Sequence, residues 1–120
     1  MLVEITTHLI GKIAVITPRV PNLDAAISRV LLDQIRQRPA CRGVVLDLSI
    51  IQFADSAGLG LLCRLHRELG SSLVIVISNR LAPGLQKLPA NRLPNCVNAL
   101  HQALATFPAL ETTPSLSLVG

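Results

Sequence analysis

The stretch that most constrains the fold runs from Val44 to Leu62, VVLDLSIIQFADSAGLGLL. It opens on Val44, Val45 and Leu46, followed by Asp47, Leu48 and Ser49, which predicts a strand. Ile50 to Phe53 form a second short apolar patch, and Ala54-Asp55-Ser56-Ala57-Gly58 comes next. From about Ala57 to Leu69 the apolar spacing is helical. Asp55 or Ser56 is placed to begin that helix, because either side-chain oxygen can accept a hydrogen bond from an unpaired amide of the first turn. Strand-to-helix junctions of this kind are where α/β proteins bind anions and place their sites. An exposed serine there can cap, react or receive a phosphate.

Around this stretch the chain alternates strands with helices. Residues 2–7 read as an edge strand, His8 to Gly11 as a turn, and Lys12 to Thr17 as its hairpin partner. Pro18 and Pro21 end that strand, since a ring in place of N–H interrupts a ladder. Asn22 can cap a helix whose apolar stripe is Leu23, Ile27, Val30, Leu31 and Ile35. It stops by Arg38, before Pro39. In the helix after Ser56, the stripe is Leu59, Leu62, Leu65 and Leu69. Arg64, Arg67 and Glu68 mark its wet face, with His66 read as exposed among them and Cys63 as a small core residue. Leu73 to Ile77 is a β-branched strand. Arg80 to Lys87 reads as a short helix broken at Pro83-Gly84, and Leu88 to Pro94 as loop. Cys96-Val97 is a strand remnant, and Asn98 to Phe107 a last helix. The order implies a layered α/β fold with a mixed sheet of four or five strands and about four helices. Residues 1–108 form a single expected domain, and residues 109–120 a flexible tail or weak edge strand.

Composition narrows the function. At 120 residues the chain is one domain by size, able to bury a core without disulfides or metals. That core must be aliphatic, because Phe53 and Phe107 are the only aromatic residues. Charged residues are 15% against 50% hydrophobic, which suggests an apolar patch for a partner and makes a homodimer an expectation. The net charge of +4 comes from scattered Lys and Arg with no aromatic platform between them, so no nucleic-acid partner is expected. Cys41, Cys63 and Cys96 have no framework spacing, which fits a reducing, cytoplasmic setting. No signal peptide and no apolar run of spanning length occurs, so membrane insertion is not expected.

Known catalytic patterns are missing. Gly58-Leu59-Gly60 lacks the third glycine and downstream acid of a dinucleotide loop, and no phosphate-binding G-x-x-x-x-G-K-[ST] occurs. His8, His66 and His101 have no companion at metal-ligand spacing, so neither metal nor cofactor is expected. Ala54-Asp-Ser-Ala-Gly58 is not a G-x-S-x-G elbow, and His66 lies nearly three helical turns beyond Ser56. These patterns single out no catalytic residue. Ser56 is better suited to be acted on, since free amides and the helix dipole favour an added negative charge.

These residues resemble the STAS domain family, the sulfate-transporter and anti-sigma-factor-antagonist domains. That family's pattern is a strand ending in Asp-Leu-Ser, a short apolar stretch, then Asp-Ser-[Ser/Thr/Ala]-Gly-Leu-Gly. Here it reads Asp47-Leu48-Ser49, Ile50 to Phe53, and Asp55-Ser56-Ala57-Gly58-Leu59-Gly60. The likeness extends to Leu23-Asp24-Ala25 and to the strand Leu73 to Ile77, spanning about Val3 to Leu104.

The resemblance implies an anti-sigma factor antagonist. Its partner is an ATP-dependent serine kinase that doubles as the anti-sigma factor, and a phosphatase restores the free serine. Ser56 takes the position of the phosphorylated serine, and Asp55 that of the acid contributing to recognition or phosphotransfer geometry. Ala57, Gly58, Asp24 and Asn79 belong to the implied partner-binding surface. The chain departs from the pattern at Ala57, where many such antagonists have a second hydroxyl residue. It also departs at Thr17 to Asn22, which lacks the usual glycine turn, and at the prolines and glycine of Ala82 to Asn98. A similar module with alanine after the hydroxyl residue accompanies a lipid-transport ATPase, and others form the tails of sulfate transporters. The alternative is therefore an unphosphorylated subunit docking on a lipid- or anion-transporter ATPase or permease. A module holding a nucleotide or lipid is a third reading.

Overall fold

A computed structural model describes residues 5–37, 42–89 and 95–107. Its centre is a pair of parallel strands, β4 (Gly43–Leu48) and β6 (Leu73–Ile77), in register from Val44 opposite Leu73 to Leu48 opposite Ile77. Both sequences are nearly continuous in apolar residues because both faces of each strand are covered. β2 (Ile13–Pro18) lies parallel on one side of β4, and β1 (Ile5–Ile10) pairs antiparallel with β2 at the edge. On the other side β7 (Asn95–Val97) closes the order β1-β2-β4-β6-β7. The mixed five-stranded sheet is the expected α/β architecture.

Side chains alternate between two cores. Ile16, Val44, Leu46, Leu48, Leu73 and Ile75 face α1 (Ala25–Arg36) and α2 (Ser56–Leu69), with Leu85 of the short α3 (Ala82–Leu85) at the margin. Ile13, Val15, Val45, Val74 and Val76 face Ala103 of α4 (Leu100–Thr106) and Phe107 beyond its end.

Several boundaries differ from the sequence expectation. β1 runs on to Ile10, and the turn is the two residues Gly11-Lys12. Gly11 has φ 60°, as the first central position of a tight type II′ hairpin turn requires. Asn22 does not cap α1. Together with Leu23 it forms a short strand, β3 (Asn22–Leu23), so the helix begins at Ala25 and Asp24 becomes its cap. The patch after β4 divides: Ile51 is fully buried, whereas Phe53 leaves the core in β5 (Phe53–Ala54), paired with β3. α2 begins at Ser56, one residue earlier than expected, and its buried stripe is Gly58, Leu61, Leu62 and Leu65. That stripe is rotated toward Gly58 because the helix makes a close approach there, which leaves Leu59 and Leu69 half-buried. Cys63 is likewise half-buried on the flank. His66 is half-buried, not exposed, and its Nδ1 is buried without a hydrogen-bond partner. It follows Leu62 by one turn and shares the edge of the apolar face. α4 starts at Leu100, later than Asn98, since Ala99 is extended. Cys41 and the segment 109–120 lie outside the described residues.

Candidate functional site

The parallel strands β2, β4 and β6 all end on one side of the sheet, and the segments that follow them build one surface. After β2 come Arg19 to Asp24, after β4 come Ser49 to Ser56, and after β6 come Ser78 to Leu81. Carboxyl ends of parallel strands are where this class of fold carries its sites.

The β3–β5 ladder sets the geometry. Asn22 pairs with Phe53 and Leu23 with Ala54, so Asp24 and Asp55 follow in step and begin α1 and α2. Each aspartate is the N-cap of its helix. Asp24 Oδ1 accepts from the Ile27 amide at 3.1 Å, and Asp55 Oδ1 from the Gly58 amide at 2.9 Å. The main chain ties the two helix starts together as well, for the Asp55 amide donates to the Leu23 carbonyl at 3.2 Å and the Gln52 amide to the Pro21 carbonyl at 2.7 Å. Gly58 is buried against this junction. A Cβ there would collide with the Leu23 carbonyl and lie 2.9 Å from Leu23 Cγ, so only glycine lets α2 come so close.

Ser56 is exposed and is the first residue of α2. The cap is thus Asp55, which leaves the Ser56 hydroxyl outside that role. Helix geometry gives the Ser56 and Ala57 amides no acceptor within the helix, and they sit beside that hydroxyl at the positive end of the helix dipole. Ala57 is exposed too. Of the residues expected to meet a partner, Asp24, Asp55, Ser56, Ala57 and Asn79 are exposed, while Gly58 is buried. Asn79 lies on the third segment. The neighbouring Ser78 hydroxyl fixes that segment by donating to the Ile51 carbonyl at 2.8 Å and accepting from the Leu81 amide at 3.1 Å.

A groove of about 490 Å³ runs from Ser56 along α2, lined by Leu59, Gly60, Cys63, Arg67 and Leu88. Ser56 and Arg67 stand about 16 Å apart along the helix at 1.5 Å per residue, too far for a phosphate on one to pair with the other. Among the described residues no cluster of His, Cys, Asp or Glu could hold a metal ion. Burial pushes the Cys96 thiol pKa up, which keeps it protonated and a poor nucleophile.

Sequence reasoning missed Phe53. It is 65% exposed, three residues before Ser56, on the same short ladder. Ile50 nearby is 39% exposed. No local signal in the sequence marks this, because Phe53 closes the apolar stretch Ile50 to Phe53, which reads as core.

A family model described as "Mlab, STAS domain" matches residues 21–88. No curated protein sequence matches the chain. Among solved structures, the anti-sigma factor antagonist SpoIIAA in its unphosphorylated form is similar at 17% identity, over 85% of this chain and 94% of that one, with a TM-score of 0.62. A Thermotoga maritima protein described as a candidate anti-sigma factor antagonist is similar at 14% identity, over 84% and 92%, with a TM-score of 0.71. The murine anion transporter Slc26a9, solved in its inward-facing state, is similar at 16% identity with a TM-score of 0.60, over 82% of this chain but 18% of the transporter. At these identities the likeness is one of fold. No helix among the described residues is long and apolar enough to cross a membrane.

Proposed function

The chain belongs to the STAS domain family, and from that premise we propose that it is a cytoplasmic anti-sigma factor antagonist switched by phosphorylation of Ser56. It acts as a binding protein and not as a catalyst. Its partner is an anti-sigma factor with serine kinase activity, and a phosphatase reverses the modification. In the modifying step the Ser56 oxygen attacks the γ-phosphorus of ATP held by the kinase. The bond to the β-phosphate oxygen breaks, ADP leaves, and the hydroxyl proton passes to a base on the kinase.

The observation that carries this reading is the exposed Ser56 on the first turn of α2, directly after the Asp55 cap. The phosphate adds close to two negative charges beside the Asp55 carboxylate. A partner surface fitted to a neutral serine then meets like-charge repulsion and desolvation cost. Asp24, Ala57 and Asn79 surround the contact, and Gly58 shapes it from below.

A second reading rests on Ala57. With alanine after the hydroxyl residue, the chain also suits a subunit that docks on a lipid- or anion-transporter ATPase or permease and is never phosphorylated. Incubation with the candidate kinase and ATP, followed by mass spectrometry, separates the two. Phosphate on Ser56, with binding retained by Ser56→Ala and lost by Ser56→Asp, is the expected result. Phosphate absent from Ser56, or equal binding by wild type and both variants, leaves the docking subunit.

A further inference from the structure

The β1 edge of the sheet carries an inference independent of Ser56. In the β1–β2 hairpin Ile10 faces Ile13 across a two-residue turn, which makes them a pair that exchanges main-chain bonds. Antiparallel pairs alternate, so His8 with Val15 and Thr6 with Thr17 also exchange bonds. Ile5, Thr7 and Leu9 therefore turn their N–H and C=O groups away from β2. Among the described residues no strand pairs with that side of β1.

Soluble proteins commonly block such an edge with lysine, proline, a bulge or a covering element. Ile5 to Ile10, ITTHLI, contains neither lysine nor proline and pairs with β2 without a bulge. Leu9 is 61% exposed, and its side chain lies on the same face as Thr7, toward α1.

We propose that β1 pairs with β1 of a second copy of this chain, antiparallel, across a two-fold axis at Thr7. The register explains why the occupant is a second copy. Thr7 faces Thr7, and Ile5 faces Leu9 of the second copy, each pair exchanging main-chain bonds. Aliphatic meets aliphatic, and no formally charged residue of β1 meets its like, although the chain as a whole carries +4. The two-fold uses each edge once, so association closes at the dimer. The two sheets become one continuous sheet, with both α1 helices on the same face. The groove of about 490 Å³ between Ile5, Thr7, Gln34 and Gln37 then meets its own copy across the axis. A junction of one strand from each side is small, so the dimer is concentration-dependent.

Sedimentation velocity of the full chain across a concentration series tests this, with Leu9→Lys as the disrupting variant. Leu100→Lys on α4 serves as a control for the loss of an exposed leucine elsewhere. The expected result is a dimer that Leu9→Lys weakens at least tenfold and Leu100→Lys leaves unchanged. Hydrogen exchange at the Ile5, Thr7 and Leu9 amides then slows as concentration rises. A chain that stays monomeric, a dimer equally tight in both variants, or exchange at those three amides that ignores dimerisation overturns the proposal.

Discussion

Gly58 packs its Cα against the carbonyl of Leu23, and through that contact α2 is seated on the strand that leads into α1. The collision a Cβ would make is with backbone, which cannot swing aside as a side chain could. Gly58→Ala is therefore expected to destabilise the fold by about 2 kcal/mol, overpacking outweighing the gain in helix propensity. Gly60, two residues on in the same helix, has nothing within 4 Å of its notional Cβ. Gly60→Ala is expected to stabilise by about 0.5–1 kcal/mol. Urea denaturation of the two variants side by side gives opposite signs if this packing is right.

Asp55 and Ser56 are adjacent yet do different things. The Asp55 carboxylate closes the helix, so Asp55→Ala is expected to cost about 1 kcal/mol, and Asp24→Ala about the same at the other helix. Ser56 is exposed and is not the cap, so Ser56→Ala should lie within about 0.5 kcal/mol of wild type. Thermal melts of the three variants check this. Equal losses at Asp55 and Ser56 would mean that the serine shares the capping role.

Phe53 is the candidate anchor of the partner interface. Aromatic side chains dominate the energetics of such surfaces, where truncating a central one commonly costs about 2 kcal/mol or more. If the proposed kinase is the partner, Phe53→Ser is expected to weaken binding to it by roughly 30-fold, the equivalent of that cost. Stability should shift by no more than about 0.5 kcal/mol, because the ring is mostly in solvent. Titration calorimetry with the kinase, alongside a melt, reads both numbers. An unchanged affinity places the contact elsewhere on this surface.

What the sequence disclosed is what depends on near neighbours. β4 and β6 were legible because Val, Ile and Leu follow one another almost continuously, broken in β4 by Asp47, and the start of α2 because Asp55-Ser56 precedes a helical period. The cap of α1 was not. Asn22 and Asp24 are both capping residues, and the choice between them is made by Phe53 and Ala54, some thirty residues away, which draw Asn22 and Leu23 into a ladder. The same distant pairing places Phe53 on the surface, although it closes an apolar run that reads as core. The rotation of the buried stripe of α2 away from Leu59 likewise follows from one contact, Gly58 on Leu23, which no helical period contains. The Ser78 bridge to Ile51 also joins segments that only the folded sheet brings together.

The ladder of Asn22-Leu23 with Phe53-Ala54 makes the place of a length change matter more than its size. Side chains alternate along a strand, so one residue inserted or deleted within Phe53-Ala54 would slip the pairing by one. Phe53 would turn inward and Ala54 outward, and Asp55 would no longer follow the ladder in step with Asp24. A residue added at the exposed Ser49-Ile50 corner is taken up by the loop and leaves the ladder as it is. Indels should therefore be survivable before the ladder and ruinous within it, a boundary drawn by a sheet only two residues long.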